Sequence, residues 1–175
     1  EVLGAPPDPR ANSTGYMLQR DHLFDWRTIE QNALLGLEVK KRLNAETHAY
    51  AAELLDRYGL GAFKDYYPRQ LSGGMKQKAA LIRTLAFSPE LLLLDEPFSA
   101  LDYQQRLLLA DEVHSIIKRG GYTAVLVTHD ISEAICMSDR VIILSERPAR
   151  IRKQVEINMG SDTPLERRSN PLFRE

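Results

Sequence analysis

One cysteine, Cys136, stands among 175 residues. No internal disulfide can form, and so scarce a thiol fits a reducing compartment. Long apolar runs are missing too. Stretches such as Leu91–Leu94 and Val141–Leu144 are four residues long, far short of the ~18 that a membrane-spanning helix needs. Charge of one sign is not in excess: Lys and Arg number 23 against 24 Asp and Glu, for a net charge of −1. That balance argues against a nucleic-acid protein working through a bulk basic field. The opening Glu1-Val2-Leu3-Gly4 has neither the basic region nor the apolar core of a secretory signal. It also lacks an initiator Met, and from this we expect a non-native N-terminus. Aromatic residues make up only 7%, yet hydrophobic residues reach 43% and charged ones 27%. This is the balance of a globular chain, long enough for one domain with a sizeable core.

The Pro-rich start, with Pro6, Pro7 and Pro9, reads as loop or turn. Gly15–Leu18 reads as a short strand ending at Gln19. Thr28 and Gln31 have capping-box spacing ahead of Ala33, Leu34, Leu35 and Leu37 and predict a helix from near Thr28. With Asn44 as cap and Gly59 as stop, a second helix is expected over Asn44–Tyr58. A third opens at Ser72-Gly73-Gly74, runs to about Phe87 and is closed by Ser88-Pro89. Leu91–Leu94 reads as a fully buried parallel strand with acids at its C-terminal end. Asp102 caps a long helix ending at Gly120-Gly121, and Ala124–Thr128 reads as another buried strand. Asp130 and Glu133 start a short helix. Val141–Leu144 and Ile151–Ile157 are later strands, the last alternating and so half exposed. Strands alternating with helices predict an α/β core with a mostly parallel sheet. The helical block from about Leu23 to Ser88 reads as a subdomain inserted into that core.

Asp95 and Glu96 stand at the C-terminal edge of a central strand, where ligands bind in open α/β sheets. One carboxylate there can hold Mg²⁺ through its water shell, and the other can orient or deprotonate an attacking water. A strand ending in solvated acids is the plainer alternative. Leu71-Ser72-Gly73-Gly74-Met75-Lys76-Gln77 sets a Ser cap and two glycines at a helix start. Exposed backbone N–H groups with the helix dipole behind them suit phosphate, although an ordinary capped helix has the same start.

The order of these pieces is more specific than any one of them. Gln19 follows a strand, and Leu71 comes 52 residues later. Asp95-Glu96 begins 21 residues after Gly74, then come Ser99-Ala100-Leu101-Asp102 and, 33 residues after Glu96, His129. Over about Gly15–Leu144 this set resembles the ATP-binding-cassette (ABC) ATPases. The resemblance implies a P-loop NTPase-like (RecA-like) α/β fold, with core parts at 1–22 and 89–160, a helical subdomain at 23–88 and a tail at 161–175. It also implies ATP and Mg²⁺ as ligands. Gln19 would be the glutamine sensing Mg²⁺ and the attacking water, Asp95 the metal-holding acid, Glu96 the catalytic carboxylate and His129 the switch histidine. Ser72, Gly73 and Gly74, with Gln77 on the same stretch, would contact nucleotide held by a second, facing subunit, and Asp102 would belong to the loop across that dimer interface.

The Gln19–Gly36 region, with Phe24 and Trp26, looks like the part of transporter ATPases that receives the permease; packing within the helical subdomain is the competing reading for both aromatics. Leu23-Phe24-Asp25-Trp26-Arg27-Thr28-Ile29 and Ser145–Ile151 look most like ATPases of nitrate, sulfonate and taurine importers. Such a subunit would sit in the cytoplasm, peripheral on the cytoplasmic face of the cell membrane, serve a solute-binding protein indirectly, and bind no nucleic acid. The alternatives are a soluble ABC ATPase acting on DNA or ribosomes, and a non-catalytic module completing a partner's ATP site through Ser72–Gly74. Arg147, Arg150, Arg152 and Lys153 read as a solvated basic face.

The family's phosphate-cradling G-x-x-x-x-G-K-[ST] loop does not occur in the sequence. We therefore expect a fragment of a longer ATPase whose missing first unit is a strand–loop–helix of about 30 residues. We expect it to leave Leu91–Leu94 short of a neighbouring strand.

Overall fold

A computed structural model describes residues 14–160 and 163–174; the Pro-rich start and the start of the tail lie outside them. Strand β1 (Thr14–Met17) leads through a loop to helix α1 (Ile29–Val39), then come α2 (Ala45–Arg57) and α3 (Gly73–Leu85). β2 (Leu91–Asp95), α4 (Tyr103–Gly120), β3 (Thr123–Val127) and α5 (Ile131–Met137) follow, then β4 (Arg140–Leu144), β5 (Ile151–Glu156) and α6 (Pro164–Ser169).

Local chemistry sets the helix ends. The Thr28 hydroxyl accepts from the Gln31 N–H while Gln31 Oε1 accepts from the Thr28 N–H, closing the expected capping box. Asn44 and Thr47 form a second such box on α2. Asp102 Oδ1 accepts from the Gln105 N–H at 2.9 Å to start α4, and Gly121 ends it at φ +65°, a conformation that glycine takes without a Cβ penalty.

β1, β2 and β3 form a parallel sheet in the order β1-β2-β3, with Gly15 opposite Leu92 and Leu92 opposite Ala124. β1 lies tight against α3: a Cβ on Gly15 would meet Thr84 Cγ2 at 2.7 Å, so only glycine allows this approach. Met17, Leu92 and Leu94 turn inward and share one cluster of buried residues with Leu34 and Leu37 of α1, Leu54 and Leu55 of α2, and Leu81 and Leu85 of α3. The helical block and the sheet thus share a core.

Three expectations need correction. Leu91–Leu94 is not fully buried, because burial alternates and Leu91 and Leu93 stay half-exposed. The strand expected over Ala124–Thr128 is likewise open on one side, with Val125 and Val127 at 47% and 55% exposure. The helices cover one face of the sheet, and no described residue buries the other. Nor is β2 short of a neighbour, since it pairs on both sides; among the described residues the sheet's edges are β1 and β3. β4 and β5 pair with each other, antiparallel, in a separate two-stranded sheet. β5 is exposed almost throughout.

α6 is anchored by a buried arginine. Arg167, 1% exposed, donates from Nη1 to the carbonyls of Cys136 and Ser138 and from Nη2 to that of Gly160. His114 on α4 is buried as well. Burial, and then the positive charges of Arg167 and Lys118, hold its imidazole below its ordinary pKa. The unfolded chain therefore takes up this proton at higher pH than the folded one, so the stability that neutral His114 supports is complete above the unfolded value and lost as pH falls. The stability difference between wild type and His114→Gln, measured by urea unfolding, should shrink between about pH 7 and pH 5. A difference constant over that range would refute this.

Candidate functional site

The carboxyl end of β2 carries the site. Asp95 is its last residue and Glu96 the first beyond it. Glu96 has φ +44°, a left-handed conformation that strains a residue with a side chain, by about 1–3 kcal/mol. The turn is held by the Glu96 N–H donating to the Val127 carbonyl at 2.8 Å and by the Ser99 hydroxyl donating to the Glu96 carbonyl at 3.0 Å. It aims the carboxylate between two partners. Gln19 Nε2 donates to Glu96 Oε2 at 2.8 Å, and His129 Nδ1 lies 3.0 Å from Glu96 Oε1. A proton on Nδ1 makes His129 the donor. A carboxylate has about four acceptor positions, so both oxygens retain capacity for a water. Residues 77 and 33 positions apart from Glu96 are thus brought onto one side chain.

Asp95 has a different partner. The Tyr16 hydroxyl, on the neighbouring strand, donates to Asp95 Oδ2 at 3.1 Å, and this bond raises the phenol's pKa above its usual value. Asp95 offers one carboxylate at a strand end, a donor set that fits Mg²⁺, which keeps several waters and uses few protein carboxylates.

Sequence reasoning missed the support behind His129. Asp130 Oδ1 caps α5 by accepting from the N–H groups of Ser132 and Glu133, and Asp130 Oδ2 lies 3.4 Å from Arg106 Nη1. The Thr128 hydroxyl donates to Glu133 Oε2 at 2.6 Å, and Glu133 is 4% exposed. Residues on both sides of His129 are therefore pinned while its ring stays in solvent. The sequence signal was slight: Asp130 and Glu133 marked only a helix start.

The stretch expected to contact nucleotide opens α3. Ser72 caps α3, accepting from the Met75 N–H at 3.3 Å. Ser72 and Gly73 are exposed, and Gly74 has open space where a Cβ would be, so their backbone is accessible to an anion. Among the described residues no hydrogen bond joins Ser72–Gly74 or Asp102 to Glu96. Gln77 differs from the expected ligand contact: it is 3% exposed, and its Nε2 approaches the Gln19 carbonyl at 3.4 Å. It lies one turn before the buried Ala80 and Leu81, on the face of α3 turned inward.

The loop between β1 and α1 is also organised. Asn32, fully buried, donates from Nδ2 to the carbonyls of Phe24, Arg27 and Thr28 and accepts from the Phe24 N–H at 2.7 Å. Phe24 and Trp26 stack with centroids 4.7 Å apart, and Trp26 is 73% exposed. Trp26 therefore does not pack into the helical core.

With this geometry in place, comparison with known proteins is decisive. A family model described as ABC transporter matches residues 6–99. The chain is 47% identical over 175 residues to an uncharacterized ABC transporter ATP-binding protein, YtlC of Bacillus subtilis, covering 99% of this chain and 67% of that protein. This chain belongs to the ABC transporter family. Within the family it is 40% identical over 155 residues to the nitrate import ATP-binding protein NrtD of Synechocystis, across 87% of this chain and 58% of NrtD. The chain thus spans 67% of the length of the first relative and 58% of the second. Among solved structures it matches the dimeric post-hydrolysis state of the ATP-binding cassette MJ0796 bound to ADP and Pi. The TM-score is 0.68 at 30% identity, covering 83% of this chain and 63% of that one. The P-loop NTPase-like α/β fold expected from the sequence is the one this ABC family chain has.

Proposed function

We propose that this chain forms the hydrolytic-carboxylate and signature portion of an ATP-hydrolysing subunit that powers import of a small anionic solute of the nitrate, sulfonate or taurine kind. The observation that carries the reading is Glu96, held by Gln19 on one oxygen and His129 on the other, directly beside Asp95. In this reading Glu96 accepts a hydrogen bond from the attacking water and orients it toward the γ-phosphate. Gln19 and His129 fix the carboxylate's direction so that little reorganisation is left for the reaction. Asp95, with Gln19 beyond it, would hold Mg²⁺. Bound there, the ion supplies positive charge to the β- and γ-phosphates. The open backbone N–H groups of Ser72–Gly74 bind the γ-phosphate of a nucleotide seated on a second subunit, and Asp102 lies at the same interface. Gln77 supports this from inside, tying α3 to the backbone of Gln19. The phosphate-cradling loop comes from outside these 175 residues.

The nitrate importer relative supports the solute class. The relatives named as ATP-binding transporter proteins support a place at the cytoplasmic face of a membrane beside permease subunits. No described helix is long and apolar enough to cross a membrane itself. The exposed Trp26, stacked on Phe24 and set in place by Asn32, is the permease contact in this reading. Tryptophan at the centre of an interface typically contributes 2 kcal/mol or more, so Trp26→Ala in the full-length protein should reduce capture of the permease from detergent extracts by about 30-fold without moving the thermal unfolding midpoint. Undiminished capture would remove this loop from the permease interface and leave the transport reading without its contact.

A further inference from the structure

β1 supplies one donor to each acid at the end of β2. Gln19, just past the strand, reaches Glu96, and Tyr16, within it, reaches Asp95. The family resemblance gave Gln19 a role and none to Tyr16. The register explains the second bond. Tyr16 is paired with Leu93, and Asp95, two residues further along β2, points to the same side of the sheet. That side is the uncovered one. Tyr16 is 51% exposed, so its ring is not held there by burial in the core. Its polar contact is the 3.1 Å bond from its hydroxyl to Asp95 Oδ2. Among the described residues the other oxygen, Oδ1, has no hydrogen-bond partner.

We infer that Tyr16 is a positioning residue that fixes the Asp95 carboxylate through Oδ2 and leaves Oδ1 directed outward for a divalent cation and its water shell. The inference rests on the reading of Asp95 as the metal-holding acid. A carboxylate on a strand end turns freely about its terminal torsion, which is broad and roughly two-fold. A donor on one oxygen selects one orientation before the cation arrives, and preorganisation of this kind raises affinity by removing an ordering cost. A phenol does this without adding charge, so it does not compete electrostatically with the cation.

The test is Mn²⁺ binding, followed by electron paramagnetic resonance, to the full-length protein carrying a non-hydrolysable ATP analogue. Tyr16→Phe removes only the hydroxyl and should weaken Mn²⁺ binding about fivefold. Tyr16→Leu should match it, because the ring itself contributes little. The Mg²⁺ concentration for half-maximal turnover should rise by the same factor, while the KM for ATP at saturating Mg²⁺ stays constant. Asp95→Asn serves as the control. If it abolishes Mn²⁺ binding while Tyr16→Phe binds Mn²⁺ as wild type does, the inference about Tyr16 fails and the reading of Asp95 stands. If Asp95→Asn leaves Mn²⁺ binding intact, the reading of the acid fails and the inference with it. A purely structural role for Tyr16 would instead lower the thermal midpoint in Tyr16→Leu with no change in Mn²⁺ affinity, and that result also overturns the inference.

Discussion

Replacing Glu96 by glutamine in the full-length protein should lower ATP turnover by about 10²–10⁴-fold, the range a positioned general base contributes, with ATP binding preserved. The amide keeps the size and planarity of the carboxylate, but it is neutral, and only its oxygen accepts. Gln19 Nε2 and His129 Nδ1 both approach the present carboxylate, one on each oxygen. With an amide, one of these contacts becomes donor against donor unless Gln19 flips its amide to present Oε1 or His129 turns an unprotonated nitrogen inward. Attack on the γ-phosphate loses its acceptor, while the groups that bind phosphate are untouched. Single-turnover hydrolysis and equilibrium ATP binding, measured on the same preparation, separate the two effects. Turnover within a few-fold of wild type would remove Glu96 from the chemistry and leave it only a structural turn.

Residues 1–175 purified alone should show neither tight ATP binding nor turnover above background. The backbone N–H groups and lysine of a phosphate-cradling loop supply most of the neutralisation of β- and γ-phosphates in such ATPases, and the sequence has no such loop. Asp95 and Glu96 would then face a polyanion with little to offset repulsion. Calorimetry with ATP and Mg²⁺, together with a coupled turnover assay, checks this. Turnover that Glu96→Gln abolishes would mean that the phosphate site is built from residues not assigned to it here.

How much was legible in the sequence depended on how local the signal was. The cap at Thr28, the cap at Asn44 and the Asp102–Gly121 limits of α4 were readable because a cap is made within four residues of chain. Gln19, Glu96 and His129 were readable only through the order of motifs, since spacing alone does not say that they share one carboxylate. Burial was misjudged in β2 and β3 because an apolar run shows that a strand can be covered on both faces, whereas the second face depends on what else packs there. Gln77 was misplaced for a nearer reason. The same helical period that put Ala80, Leu81 and Thr84 inward also put position 77 inward, and the motif drew attention away from the period. Tyr16 carried no signal, because tyrosine is common in strands for its shape alone. The Arg106–Asp130–Glu133 network joins residues more than 20 positions apart and is visible only once the chain has folded.

The turn at Glu96 has a consequence for how this protein can change over generations. The left-handed backbone there would be relaxed by glycine, so under the role proposed for Glu96, selection for a sturdier fold and selection for hydrolysis would pull in opposite directions at position 96. Lineages released from the need to hydrolyse would be expected to drift first at this residue, gaining robustness as they lose chemistry.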